Sequence, residues 1–367
     1  MAAAALFGAS VPLAKPFVES GVSPWLLAGL LYLASGLGLS LIYLGRRWLG
    51  LTSTDAPLRR ADMPWLGLVV LSGGVVAPIL LMIGILYTAS SAAALLLNLE
   101  GLATMAIAWL VFKENVDRRL LIGAAAILAG AVLLSWQGGV GEAGIGALFI
   151  AGACLCWGID NNLTRKLSSA DPLQIALIKG LVAGGINLSA AMYLGAILPP
   201  PATIAAAAAI GFFSYGVSLV LFVLALRYLG TARTGAYFST APFIGAVLSV
   251  LMFGEQLTTP LIAAGVLMAI GVYVHLTEAH EHDHLHEQLD HEHRHVHDEH
   301  HRHPHGPDDP PGEPHAHRHR HAPMRHSHPH FPDLHHRHDH PHQPVPPRRR
   351  SQNSDRRMRE NGGRDRD

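Results

Sequence analysis

Residues 1–276 divide into ten apolar stretches, each near the roughly 20 residues a helix needs to cross a hydrocarbon core about 30 Å thick. They fall near 2–19, 24–44, 64–86, 90–112, 118–136, 143–164, 173–197, 204–226, 232–253 and 258–276. Only 15% of the chain is charged and 50% is hydrophobic, where a soluble chain carries about 25% charge. A soluble helical protein would need a polar face on most of these stretches, and they have almost none. The expected fold class is all-α integral membrane, with ten transmembrane helices followed by a tail of different composition. Residues 1–276 hold a single histidine, His275, and residues 277–367 hold the other 24. The net charge of zero is therefore the sum of two unlike regions and identifies no partner.

Loop charge sets the orientation, because Lys and Arg in short loops stay cytoplasmic. Arg46, Arg47, Arg59 and Arg60 follow the second span, and Lys113, Arg118 and Arg119 follow the fourth. Arg165 and Lys166 follow the sixth, and Arg227 and Arg233 bracket the turn after the eighth. The alternate loops near 87–90, 137–142, 198–203 and 254–257 have no Lys or Arg. Both termini are expected in the cytoplasm of a bacterial-type inner (plasma) membrane. Lys15 alone dissents; either it snorkels to the interface or further chain precedes Met1. Cys154 and Cys156 lie together in the sixth span. They form no disulfide framework, and a small packing role is expected of them.

The ten spans also contain a repeat. At an offset of 141, Tyr87 falls on Tyr228, Leu110 on Leu251, Phe112 on Phe253, Glu114 on Glu255 and Gly130 on Gly271. At the start of each half Gly8 falls on Gly158 and Lys15 on Arg165, at an offset of 150. Five spans is an odd number, so the halves, 1–136 and 143–276, are expected to insert in opposite senses. Inverted repeats of this kind recur in secondary transporters, with the substrate site at the repeat interface. The tandem halves, Phe-Lys-Glu at 112–114, Phe-Gly-Glu at 253–255, the Gly-rich fifth helix after each, and ALRYLGTARTGAY at 225–237 together resemble the drug/metabolite transporter superfamily, EamA type. The resemblance covers about residues 1–276. It implies a carrier exporting or exchanging small organic molecules, and it marks fold better than substrate.

Ionisable residues in hydrocarbon are costly and tend to face the bundle interior or a cavity. Glu100 lies near the middle of the fourth span, and its repeat counterpart is Ala241. A carboxyl there without a cationic partner suits proton coupling; a structural hydrogen bond and direct substrate contact are the alternatives. Asp160 and Lys179 fall at comparable depths on the adjacent sixth and seventh spans, either as a structural ion pair or in the substrate pathway. Asn98, Asn161, Asn162 and Asn187 either line the same cavity or make interhelical hydrogen bonds. Glu114 and Glu255 end helices on opposite membrane faces, where capping and anchoring are expected. Pro12, Pro78 and Pro242 fall within spans and suggest kinks. Cys156 and Asp160, four residues apart, form an incomplete metal-ligand set. No G-x-x-x-x-G-K-[ST] loop occurs, and with no histidine in the spans before His275 a His-dependent catalytic site is unavailable there. No enzyme is expected, and no cofactor is required.

From residue 280 the chain reads HEHDHLHEQLDHEHRHVHDEH, then becomes Pro-rich, then Arg-rich. High charge, abundant proline and few large apolar residues predict disorder for 277–367. Alternating H-x-H puts imidazoles on one side of any extended stretch, and neutral imidazole suits zinc, copper and nickel. His280, His282, His284, His286, His291, His293, His295 and His297 are the candidate ligands for a divalent metal. Such a tail either buffers or senses a transported metal, binds metal unrelated to the cargo, responds to acid through imidazoles titrating near pH ~6.5, or merely extends the chain. The expected partners are the lipid bilayer and a small-molecule or metal-ion substrate, with no nucleic acid and homodimerisation left open.

Overall fold

The structure is a computed structural model describing residues 1–51, 58–111, 118–136, 142–167, 171–222, 224–225, 234 and 237–277, and the backbone of four tail strands. Eight helical stretches among these are long and apolar enough to cross a membrane: Pro24–Trp48, Arg60–Tyr87, Ser90–Leu110, Arg118–Ser135, Gly144–Thr164, Pro172–Tyr193, Pro201–Phe222 and Thr259–Leu276. The first span is built from two consecutive helices, Ala2–Gly8 and Ser10–Glu19, and the ninth is described as a helix over Ala241–Phe253. With helices all along the chain in the predicted places, the membrane part is all-α. Proline at the first or second helical position opens several of them (Pro24, Pro172, Pro201, Pro242, Pro260), where its missing N–H has no partner to lose.

The halves pack by exchange. The second span lies along the seventh and the fifth along the tenth, each pair being repeat-equivalent. The first span packs on the eighth and ninth, mirrored by the sixth packing on the third and fourth. Glycines set these contacts, allowing backbones to touch. A Cβ built on Gly123 would lie 2.9 Å from the Gly271 carbonyl oxygen, and one on Gly130 would lie 3.0 Å from that of Ala264. The offset of 141 turns the first of these contacts into the second. As residue number rises on one helix it falls on the other, so the equivalent helices run antiparallel. In the same way, a Cβ on Gly29 would meet Leu188 Cβ at 3.1 Å, and one on Gly180 would meet the Gly36 nitrogen at 2.6 Å. The inversion inferred from an odd span count is thus visible at single-residue contacts.

Two features of the spans go beyond the kinks expected at Pro78 and Pro242. The third span contains a π-helical turn at Val70–Val76 and the eighth one at Gly211–Val217, again 141 residues apart. The fourth span breaks at Leu97–Asn98 and the ninth turns at Ser239–Thr240, nearly equivalent positions. π-turns and interrupted helices cluster at functional sites. In both halves they sit in the middle of the bundle.

Composition predicts no regular structure for the tail, yet four of its segments are strands. His280–His286 pairs antiparallel with Met324–His330, and Leu289–His295 with His315–His321. The physical reason is the H-x-H alternation, which has the two-residue period of a strand. The register sets His280, His282 and His284 opposite His330, His328 and His326, and His291, His293 and His295 opposite His319, His317 and His315. His286 lies opposite Met324. His297 lies outside the described residues.

Candidate functional site

Two polar clusters hang from the sixth span, on the neighbouring residues Asp160 and Asn161. The first is built on Asp160, 4% exposed. Lys179 of the seventh span donates to Asp160 Oδ2, and Thr164 Oγ1 donates to Oδ1 at 3.1 Å. Gly73 and Gly74 of the first π-turn make room for the pair: a Cβ on Gly73 would lie 2.7 Å from Asp160 Cβ, and one on Gly74 would lie 3.4 Å from Lys179 Cγ.

The carbonyls of these two glycines are themselves occupied. Pro78 lies four residues after Gly74 and five after Gly73 and has no N–H, so neither carbonyl finds its α- or π-helical donor there. Side chains take over. Tyr32 OH and Trp157 Nε1 donate to Gly73 O at 2.9 and 3.1 Å, and Asn187 Nδ2 donates to Gly74 O at 3.2 Å. Spans two, three, six and seven are thereby joined at one buried knot. Tyr32 also stacks near Tyr215 of the second π-turn, with ring centroids 5.3 Å apart. Phe7 lies 6.1 Å from Tyr215 and 6.5 Å from Trp157. The sequence signals for this knot are Pro78, the Gly-Gly pair and Asn187, whose bond to Gly74 O is one of the two roles expected of it.

In the second cluster, Asn161 Nδ2 donates to Glu100 Oε1 at 3.0 Å and to Thr104 Oγ1 at 3.2 Å. Asn162 Nδ2 reaches the backbone carbonyls of Thr104 (3.0 Å) and Gly158 (2.8 Å). Gly158 allows the approach, since a Cβ there would lie 2.9 Å from Ala103 Cβ. Glu100 occupies the first turn of Leu99–Leu110, immediately after the break in the fourth span, where the free N–H groups of a new helix favour a negative charge. It is half-buried and Asn161 is exposed, whereas Asp160, Asn162 and Asn187 are buried. Among the described residues no cation lies within ion-pair distance of Glu100.

The remaining candidates are dispersed. Asn98 is not gathered with Glu100; its amide donates to Leu95 O at 2.8 Å and contacts Met268 Sδ at 3.8 Å. Glu255 bonds to none of these groups and caps a different helix: its two oxygens accept from the N–H groups of Ser90 (2.8 Å) and Ser91 (3.0 Å). Glu114 lies outside the described residues. Lys15 is 8% exposed, and Nζ donates to Ile85 O (2.6 Å) and Thr88 O (2.9 Å) at the end of the third span. Cys154 is buried and Cys156 half-buried, both as free thiols. No group of three His, Cys, Asp or Glu gathers as a metal site among the described residues.

Interlocked inverted halves with interrupted helices around a membrane-embedded carboxylate are the architecture of a carrier. The sequence profile of the EamA-like transporter family matches residues 1–136 and again 144–277. The chain belongs to the EamA-like transporter family. Membership makes it a multi-pass membrane transporter. A relative described as an uncharacterized transporter, from Methanothermobacter thermautotrophicus, is 28% identical over 228 residues; the match covers 60% of this chain and 66% of the relative. A solved crystal structure superposes with a TM-score of 0.55 over 74% of this chain and 92% of its own, at 20% identity, a likeness of fold. Within the EamA-like frame, the two matched segments coincide with the two sets of five spans.

Proposed function

We propose that this EamA-like chain is a secondary exporter of small organic metabolites that works by alternating access, with Glu100 as the proton-responsive carboxylate. The observation carrying this reading is Glu100 itself. It stands at the broken middle of the fourth span, half-exposed, bonded to a neutral amide rather than to a cation. A carboxylate at that depth is tolerated where water or a polar substrate reaches it. Asp160 is already paired by Lys179 and serves the structure. Export is what the resemblance to EamA-type carriers implies, and the basic loops are the ground for placing both termini in the cytoplasm. The test is flux in reconstituted vesicles under an imposed pH gradient, screening amino acids, nucleobases and nickel, cobalt or zinc. Glu100→Gln abolishes the gradient-driven component if the reading holds; undiminished gradient-driven flux in that variant overturns it.

A second reading, divalent-metal efflux assisted by the tail, draws support from the abundance of histidine in 277–367 and from a backbone register that sets histidine positions opposite one another. Deleting residues 279–367 separates the readings. Organic flux persists in the truncated chain under the first, and metal tolerance of cells is lost under the second.

A further inference from the structure

The third and fourth spans are joined by a two-residue turn, Thr88–Ala89, between Ala77–Tyr87 and Ser90–Leu96. Both sides of this turn are held. Lys15, from the first half, donates to Ile85 O and Thr88 O, where the third span ends in free carbonyls. Lys15 is paired in turn with Glu19 at 3.2 Å. Glu255, from the second half, accepts from the Ser90 and Ser91 N–H groups, where the fourth span begins. Ser90 Oγ lies 2.8 Å from Ser249 Oγ, also of the second half. The chain reaches this point because Gly254 adopts φ 62° after Phe253, a left-handed turn suited to glycine. That turn returns Glu255 onto the neighbouring span.

The grip coincides with a change in packing along the fourth span. Ser90–Asn98 is buried throughout, while Leu99–Ile107 is half-buried or exposed throughout. Glu100 lies about 15 Å from the turn, at 1.5 Å per residue. Burial of the fourth span therefore changes at the break that precedes Glu100.

We infer that Glu255 is a gating residue of the transport cycle, a latch closing the membrane face that carries the 88–89 turn, and that Lys15 positions the turn for it. This rests on the alternating-access reading. The division of labour follows from the repeat. The Glu255 and Ser249 contacts cross from one half to the other, so they break when the halves move apart on that face. The Lys15 contacts stay within the first half and travel with the turn. A charge-assisted pair of N–H···O bonds is strong enough to hold the closed state and can be broken without unfolding any helix.

The test needs no substrate, so it can fail or succeed independently of the flux screen. Two reporter cysteines are placed singly in the full chain with Cys154 and Cys156 replaced by alanine. One is Ala94→Cys, in the buried stretch behind the latch. The other is Gly101→Cys, where an added side chain meets open space. A membrane-impermeant maleimide is applied to the turn face for the first and to the opposite face for the second. Glu255→Ala raises labelling at 94 and lowers it at 101, each by roughly tenfold, as expected on losing a hydrogen bond to a charged group. Glu255→Gln keeps one acceptor and gives smaller changes in the same directions. Labelling unchanged at both positions, or increased at both, overturns the proposal, since loosening without a change of side is what a purely structural cap produces. Should Glu255→Ala not yield folded protein, Glu255→Gln decides by the same criterion.

Discussion

Lys179 and Asp160 illustrate how a buried charge is tolerated in this bundle. Removing one partner leaves the other uncompensated, which costs about 3–5 kcal/mol. Lys179→Met is expected to lower the melting temperature in detergent markedly, and the double variant with Asp160→Asn to recover most of the loss. Gly73 belongs to the same knot, since a methyl group there has no space beside Asp160. Gly73→Ala should therefore destabilise comparably although it removes no polar contact, and the same melting experiment checks it. The pairing of Asp160 with Lys179 was legible because helical rise alone sets both at one depth. The roles of Tyr32 and Trp157 were not. Each donates to a backbone carbonyl that is free only because of the π-turn and Pro78, and no side-chain pattern announces that.

At the scale of helices, the paired π-turns and the breaks in spans four and nine mark where the spans depart from regular geometry. Such departures store alternative hydrogen-bonding arrangements at small cost. Pro78→Ala supplies an N–H that competes with Asn187 for the Gly74 carbonyl. Its expected effect is slower flux in vesicles with no loss of melting temperature. If flux is unchanged, the π-turn is a packing feature. The existence and limits of most helices followed from apolar length and proline position. The breaks did not, because Leu97–Asn98 lies within an apolar run whose composition is that of an unbroken helix.

For the molecule as a whole, the inverted arrangement was readable from loop charge and an odd span count, and single glycine contacts now give its register. The orientation has its own test. A cysteine in place of Leu198 is expected to react with an impermeant thiol reagent from outside intact cells, and one in place of Leu49 only after the cells are opened. The tail combines two opposed tendencies. Its composition argues against a packed core, while its alternation favours extended pairing, and without an apolar layer a two-stranded ladder is only marginally stable in water.

The glycine seams between spans two and seven and between five and ten carry a consequence for biogenesis. Each seam joins segments made about 140 residues apart, so the leading five helices enter the lipid with their flattest faces bare. They must wait there, unpaired, while the ribosome completes the mirror-image set. The protein becomes a folded object only when its last helix arrives to close against the fifth.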